Sequence, residues 1–177
     1  MIAAPAAPLS PPRFGLLAYA AGLLLAVAMP FAIGAASPID PPATVAAHNG
    51  LVNADDGVAI KGYDPVAYFT EGRPVLGDPA VTAEFDGATW RFATPEHRRA
   101  FLAYPSRYEP EYGGFCAYGA AKGRKTDIDP AAFSIIGGRL YLNASLEARM
   151  VWRNDLLNAI AAADRNWPQV KDQPILR

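Results

Sequence analysis

A small α+β domain is what the sequence predicts, and three observations carry it. Two pairs of short apolar-alternating segments flank two-residue turn signals, Asp86–Gly87 and Gly137–Gly138. Cap signals open helices at Thr94–Pro95 and at Ser145. The strand and helix patterns do not alternate in the order that a parallel sheet requires. The reading is therefore two β-hairpins with two or three helices, the longest at the C-terminal end.

Gly57–Tyr63 reads as a short strand entering a turn. Asp64–Pro65 then reads as a cap with proline at the first helical position, so residues 66–69 form a helical turn. Residues 72–79 hold two glycines and two prolines and read as a loop. Val81, Ala83 and Phe85 alternate with polar residues, and residues 89–92 return with Trp90 and Phe92 on one face. Thr94, Pro95 and Glu96 start a helix over residues 95–103, which stops before Pro105. Residues 133–136 and 139–142 form the second hairpin. Ser145 caps a helix over residues 146–166, in which Trp152, Leu156, Ile160, Ala163 and Trp167 make a core-facing stripe that Pro168 ends.

Ahead of the domain, Phe14–Ala36 is an uncharged run of 23 residues preceded by Arg13. A basic residue, an apolar stretch and small residues at Gly34 and Ala36 form a secretory signal, and the same run is long enough to anchor the chain in a bilayer. Either way the remainder is expected outside the cytoplasm, in the periplasm or beyond. Eight of the 17 prolines lie in the first 42 residues. The expected organisation is a signal or anchor over 1–36, a proline-rich linker over 37–50, the domain over 51–170 and a tail over 171–177.

With 16 basic and 17 acidic residues, the formal charge of −1 excludes the basic excess of a nucleic-acid binder. At 51% apolar residues the chain can bury a core. One cysteine excludes an internal disulfide and any multi-cysteine zinc or iron–sulfur site. No serine–histidine–acid set, phosphate loop, dinucleotide fingerprint or zinc-protease helix is readable.

The densest stretch is Tyr104–Gly123. Pro105 and Pro110 forbid the continuous helix that would stack Tyr104, Tyr108 and Tyr112. Gly113–Gly114 permits a backbone that side chains would obstruct. Cys116 is expected in the first turn of a following helix, where unpaired N–H groups favour a thiolate. It reads as a reactive thiol, a soft-metal ligand, an intermolecular disulfide partner or a small buried apolar residue. His97, the single histidine of the domain, reads as a first-turn side chain and a candidate ligand or partner of Cys116. Asp127 and Asp129 could hold a hard cation, though Asp129 reads better as a cap before Pro130. Lys122, Arg124 and Lys125 read as a solvated loop with some attraction for anions. Asn143–Ala144–Ser145 matches a glycosylation sequon.

Four blocks, GYDPVAYF at 62–69, FDGATWRFATPEHRRAF at 85–101, PSRYEPEYGGFCAYGAAKG at 105–123 and GGRLYLNAS at 137–145, together resemble the exported YHS-domain proteins of bacteria. The likeness runs from about Gly57 to Pro168. Members of the wider YHS group accompany copper-transporting ATPases and some oxygenases, so the resemblance implies a compact metal-handling unit. There a cysteine follows Asp-Pro-Val and a cysteine pair spaced four apart follows an aromatic strand. Here these positions are Ala67, Ala93 and His97, which leaves His97 as the surviving donor type. What this subfamily keeps is Cys116, at a position that looks like selenocysteine in some relatives.

The resemblance and the residues together imply an extracytoplasmic YHS-like binding domain that binds a soft metal ion such as copper, or undergoes thiol redox chemistry, through Cys116, with His97 as a further ligand. One rival is a thiol- or peroxide-consuming oxidoreductase with Cys116 catalytic, which needs a thiol partner protein to resolve the sulfenic acid. Another is a structural or protein-interaction domain with Cys116 buried. Nucleic acid is not an expected partner, and the membrane is one only through the N-terminal run.

Overall fold

The computed structural model describes residues 52–176, which all belong to the second of the chain's two units, Asp40–Arg177. The expected signal or anchor over 1–36 and the linker over 37–50 lie outside the described residues. No helix among the described residues is long and apolar enough to cross a membrane.

The fold is α+β. One sheet has the order β1-β2-β4-β3, from β1 (Ala54–Asp55), β2 (Val58–Ala59), β3 (Asp78–Phe85) and β4 (Ala88–Phe92). Its neighbours are antiparallel except β2 and β4, which meet in parallel at Val58 and Thr89. A separate hairpin pairs β5 (Asp129–Ile136) with β6 (Arg139–Asn143). Both expected hairpins form on their expected turns, where Asp86, Gly87, Gly137 and Gly138 all take positive φ. Each hairpin starts earlier than its alternation suggested. The strands β3 and β5 reach back to Asp78 and Asp129 through irregular registers, before Thr82 and Phe133 respectively, and such bulges hide from a period-two reading. Pro79 and Pro130 sit in these irregular stretches, where a missing N–H costs no ladder bond.

Six α-helical segments complete the described chain: α1 (Ala67–Thr70), α2 (Pro95–Ala103), α3 (Pro105–Tyr108), α4 (Ala117–Ala121), α5 (Leu146–Asn154) and α6 (Leu156–Val170). The local caps act as expected. Thr94 accepts from the backbone N–H of His97, and Ser145 from that of Ala148. The long helix expected over 146–166 is instead two. Asp155 leaves helical geometry at φ −135° and ψ 54°, and the chain resumes as α6. Pro168 does not stop α6, which runs on to Val170. A proline so close to a C-terminus removes one helical bond rather than a series of them. The apolar stripe survives the break: Trp152 and Ala163 are fully buried, with Leu156, Ile160 and Trp167 packed beside them.

Strand β6 separates two apolar cores. Leu140 and Leu142 enter the larger one, with Trp90, Phe92, Phe101 and Tyr68. Tyr141 points the other way, into the smaller core of Tyr112, Ala120, Trp152 and Ala163. Period-two alternation puts these neighbours on opposite faces. The Pro110–Cys116 segment runs alongside β6 and bridges it at both ends, Pro110 to Leu140 and Cys116 to Leu142. At the other end of the chain, the Leu176 N–H donates to the Lys125 carbonyl at 2.8 Å, which ties down the segment expected as a tail.

Two left-handed turns meet, one of them within the Pro110–Cys116 segment. Ile60, Lys61 and Gly62 have φ of 40°, 58° and 78°, and Tyr112, Gly113 and Gly114 have φ of 55°, 61° and 79°. Asn53 joins them. Its N–H donates to the Gly113 carbonyl at 2.7 Å, its Nδ2 to the Gly114 carbonyl at 3.1 Å, and its own carbonyl accepts from the Ile60 N–H at 2.8 Å. A Cβ on Gly114 would lie 2.7 Å from Ile60 Cγ2 and 3.1 Å from Pro110 Cγ. Gly114→Ala therefore combines left-handed strain with overpacking and is expected to cost about 2–4 kcal/mol. Gly87→Ala, at φ 77° with open space around it, carries strain alone and should cost about 1 kcal/mol. Urea denaturation of both variants checks the difference.

Candidate functional site

Cys116 is the N-cap residue of α4 and does not lie in its first turn. Its backbone is held between Leu142 of β6 and the Thr126 carbonyl, which accepts the Cys116 N–H at 3.0 Å. That placement puts Sγ among backbone donors. Gly119 N–H donates to it at 3.3 Å and Ala144 N–H at 3.2 Å. The thiol in turn faces Asn143 Oδ1 at 3.8 Å, and the same oxygen accepts from the Tyr118 N–H at 3.1 Å. The residue is 2% exposed. Sulfur here does what a serine hydroxyl does at a helix start, and also ties α4 to the end of β6. Asn143 is fully buried beside it, so the sequon asparagine lies inside the fold.

His97 has a different set of neighbours. Its Nδ1 lies 2.6 Å from Asp64 Oδ2, and its Nε2 lies 3.3 Å from Thr70 Oγ1. Asp64 is fully buried and carries three backbone donors besides. Val66 and Ala67 donate to Oδ1 at 2.8 and 3.3 Å, and Ala93 donates to Oδ2 at 2.7 Å. One carboxylate thus fixes the start of α1, the end of β4 and the first turn of α2. The order carboxylate, imidazole, hydroxyl is that of a hydrolase triad. Thr70, however, donates its hydroxyl hydrogen to the Val66 carbonyl at 3.2 Å, so that proton is turned away from the imidazole. The arrangement is that of a clamp.

The structure does not bring His97 and Cys116 into one donor set, and among the described residues no group of three or more His, Cys, Asp or Glu side chains could hold a metal ion. Asp127 and Asp129 also separate. Asp127 pairs with Lys61 at 2.8 Å and accepts from Asn53 Nδ2 and the Ile128 N–H. Burial pushes its carboxyl up, but those hydrogen bonds outweigh it and hold the group below the usual range. Asp129 accepts from the Ala131 N–H at 2.9 Å, next to Pro130 as expected. Of the three basic loop residues, Lys125 is not solvated. It is buried, donates to the Lys171 carbonyl at 2.8 Å and lies 4.5 Å from the Phe115 ring. Burial draws its ammonium below the ordinary lysine range.

The site that sequence reasoning missed is a cleft of about 390 Å³ lined by Trp90, Tyr112, Glu111, Arg139, Trp167 and Lys171, among others. Its size lies within the range of small-molecule sites. Arg139 forks onto Glu111 through Nε at 2.5 Å and through Nη2. Tyr112 occupies its left-handed conformation here, with its ring 5.7 Å from Trp167 and its hydroxyl donating to Asp164 Oδ1 at 2.9 Å. A bulky residue at positive φ is an outlier of the kind that clusters at ligand sites. Its sequence signal was the Gly113–Gly114 pair, which marked an unusual backbone but not the cleft that Trp90 and Trp167 complete from far along the chain.

Two predictions follow from these partners. Asp64→Ala strands several buried donors and is expected to cost about 3–5 kcal/mol, whereas His97→Ala leaves the carboxylate on its three N–H groups and should cost about 1–2 kcal/mol. Equilibrium denaturation separates the two. For Tyr112, burial and then the hydrogen bond to Asp164 push the phenol well above its usual value of 10.0. A raised folded pKa contributes stability that is whole below pH 10 and is lost as pH rises above it, because the unfolded chain ionises first. Denaturation from pH 8 to 11 should show a shallower alkaline loss in Tyr112→Phe than in the parent protein.

No family model matches the chain, and no curated protein or solved structure matches it either.

Proposed function

We propose that the chain is an exported YHS-like binding domain that takes a small ligand in the Tyr112 cleft and uses Cys116 to build its fold. The observation that carries the reading is Tyr112 itself. A bulky aromatic is kept in left-handed geometry by a turn tied to Asn53, and it lines a cleft beside two indoles and the Glu111–Arg139 pair. Export rests on the Phe14–Ala36 run, and kinship with YHS proteins rests on the four sequence blocks.

Soft-metal binding or thiol redox chemistry through Cys116 draws its support from the resemblance. Both reactions need the sulfur to meet a partner, and the sulfur is closed in with its approaches taken by Gly119, Ala144 and Asn143. The buried-cysteine alternative fits these contacts better.

Alkylation and ligand screening test the reading together. Iodoacetamide is expected to label Cys116 only once the protein is unfolded, and neither Cu(I) nor Zn(II) should raise the melting temperature. Cys116→Ser keeps an acceptor at the cap and should fold with a loss of about 1 kcal/mol. A small-molecule panel read by melting temperature should give ligands whose shift persists in Cys116→Ser and disappears in Trp167→Ala. Rapid labelling of the native protein, with a metal-induced shift abolished by Cys116→Ser, would overturn the proposal in favour of the sulfur site.

A further inference from the structure

A second cleft, of about 470 Å³, lies where α4, the end of α5 and α6 come together. Small side chains make the space. Ala121 comes from α4, Val151 from α5, and Ala159 and Ala162 from α6. Trp152 also lines the cleft. Its ring is fully buried against Tyr141, with centroids 5.2 Å apart. Its indole Nε1 is buried and has no hydrogen-bond partner. A buried donor left in that state costs about 1–3 kcal/mol, and folded proteins hold few of them.

The charges around the cleft are uneven. Lys122 and Arg165 both line it, and neither has an ion-pair partner among the described residues. The Lys122 ammonium lies 5.4 Å from the Tyr118 ring centroid, at the same cleft. One carboxylate is present, Asp155, and it accepts from Asn158 Nδ2 at 2.8 Å. Two cations against one engaged carboxylate give a positive rim over an apolar lining.

We propose that this cleft binds a small amphipathic carboxylic acid in its ionised form. The hydrocarbon lies along the alanines and Val151, and the carboxylate is drawn to Lys122 and Arg165. An amine of the same length would meet the same apolar walls but two like charges. This reading is independent of the Tyr112 cleft, since the two cavities share no lining residue.

Calorimetric titration of the intact protein with octanoate tests it, with octylamine as the matched cation. Octanoate is expected to saturate one site, and octylamine to bind at least about tenfold more weakly. Arg165→Glu, at an exposed position, should weaken octanoate by about tenfold or more. Ala162→Leu should abolish binding by filling the space, and Arg73→Gln, an exposed residue that lines neither cleft, should leave it unchanged. If Ala162→Leu does not fold, the Arg165→Glu result decides. Equal affinity for octylamine, no saturation below about 5 mM octanoate, or octanoate binding unaltered by Arg165→Glu overturns the proposal. So does a concentration-dependent dimer in sedimentation that Ala162→Leu disperses, which would make the cleft a contact between copies of the chain.

Discussion

Asn53 holds together the part of the molecule that is hardest to form. Each of the two turns it bridges places three consecutive residues at positive φ, and two of those residues, Ile60 and Tyr112, are bulky. Left-handed geometry costs roughly 1–2 kcal/mol for such a residue, so the turns cannot persist without partners. Asn53 supplies three backbone-directed hydrogen bonds across them, and a fourth, from Nδ2, reaches Asp127. Gly114 allows the turns to touch, because any side chain there would strike Ile60. The direction in which the chain leaves this junction decides where Tyr112 and Cys116 lie.

From there the architecture is set by β6, which is buried on both faces and shared by two cores. The larger core is closed by Asp64, whose carboxylate gathers α1, β4 and α2. The smaller core is closed by α5 and α6 against α4, with Cys116 capping α4 and reaching the end of β6. Buried polar groups of this kind gain little individually, but they select one arrangement because every alternative leaves a donor unmet. The second cleft opens at the edge of the smaller core, where α4, α5 and α6 meet and packing by alanine leaves room.

Features with a local cause were legible in the sequence. The Thr94 and Ser145 caps, both hairpin turns and the α2 boundaries depend on residues within a few positions of one another. The break at Asp155 was not legible, because neither proline nor glycine marks it and the apolar stripe continues through it. Asp64 showed itself as a cap and His97 as a first-turn residue, but their pairing spans 33 positions and leaves no short-range pattern. Lys125 looked like one of three solvated cations, and only the return of the chain past Lys171 covers it. The clefts depend on which distant segments meet, and so on tertiary packing that periodicity does not encode.

The cap at Cys116 bears on how such a domain would fare in an oxidising compartment. Its single thiol is occupied as an acceptor and shut away from other chains, so the folded form offers nothing for disulfide exchange. Vulnerability is then confined to the interval before folding finishes, when the sulfur is still open to mixed crosslinks. Rapid docking of α4 onto β6 would protect the chain without any help from a reductase.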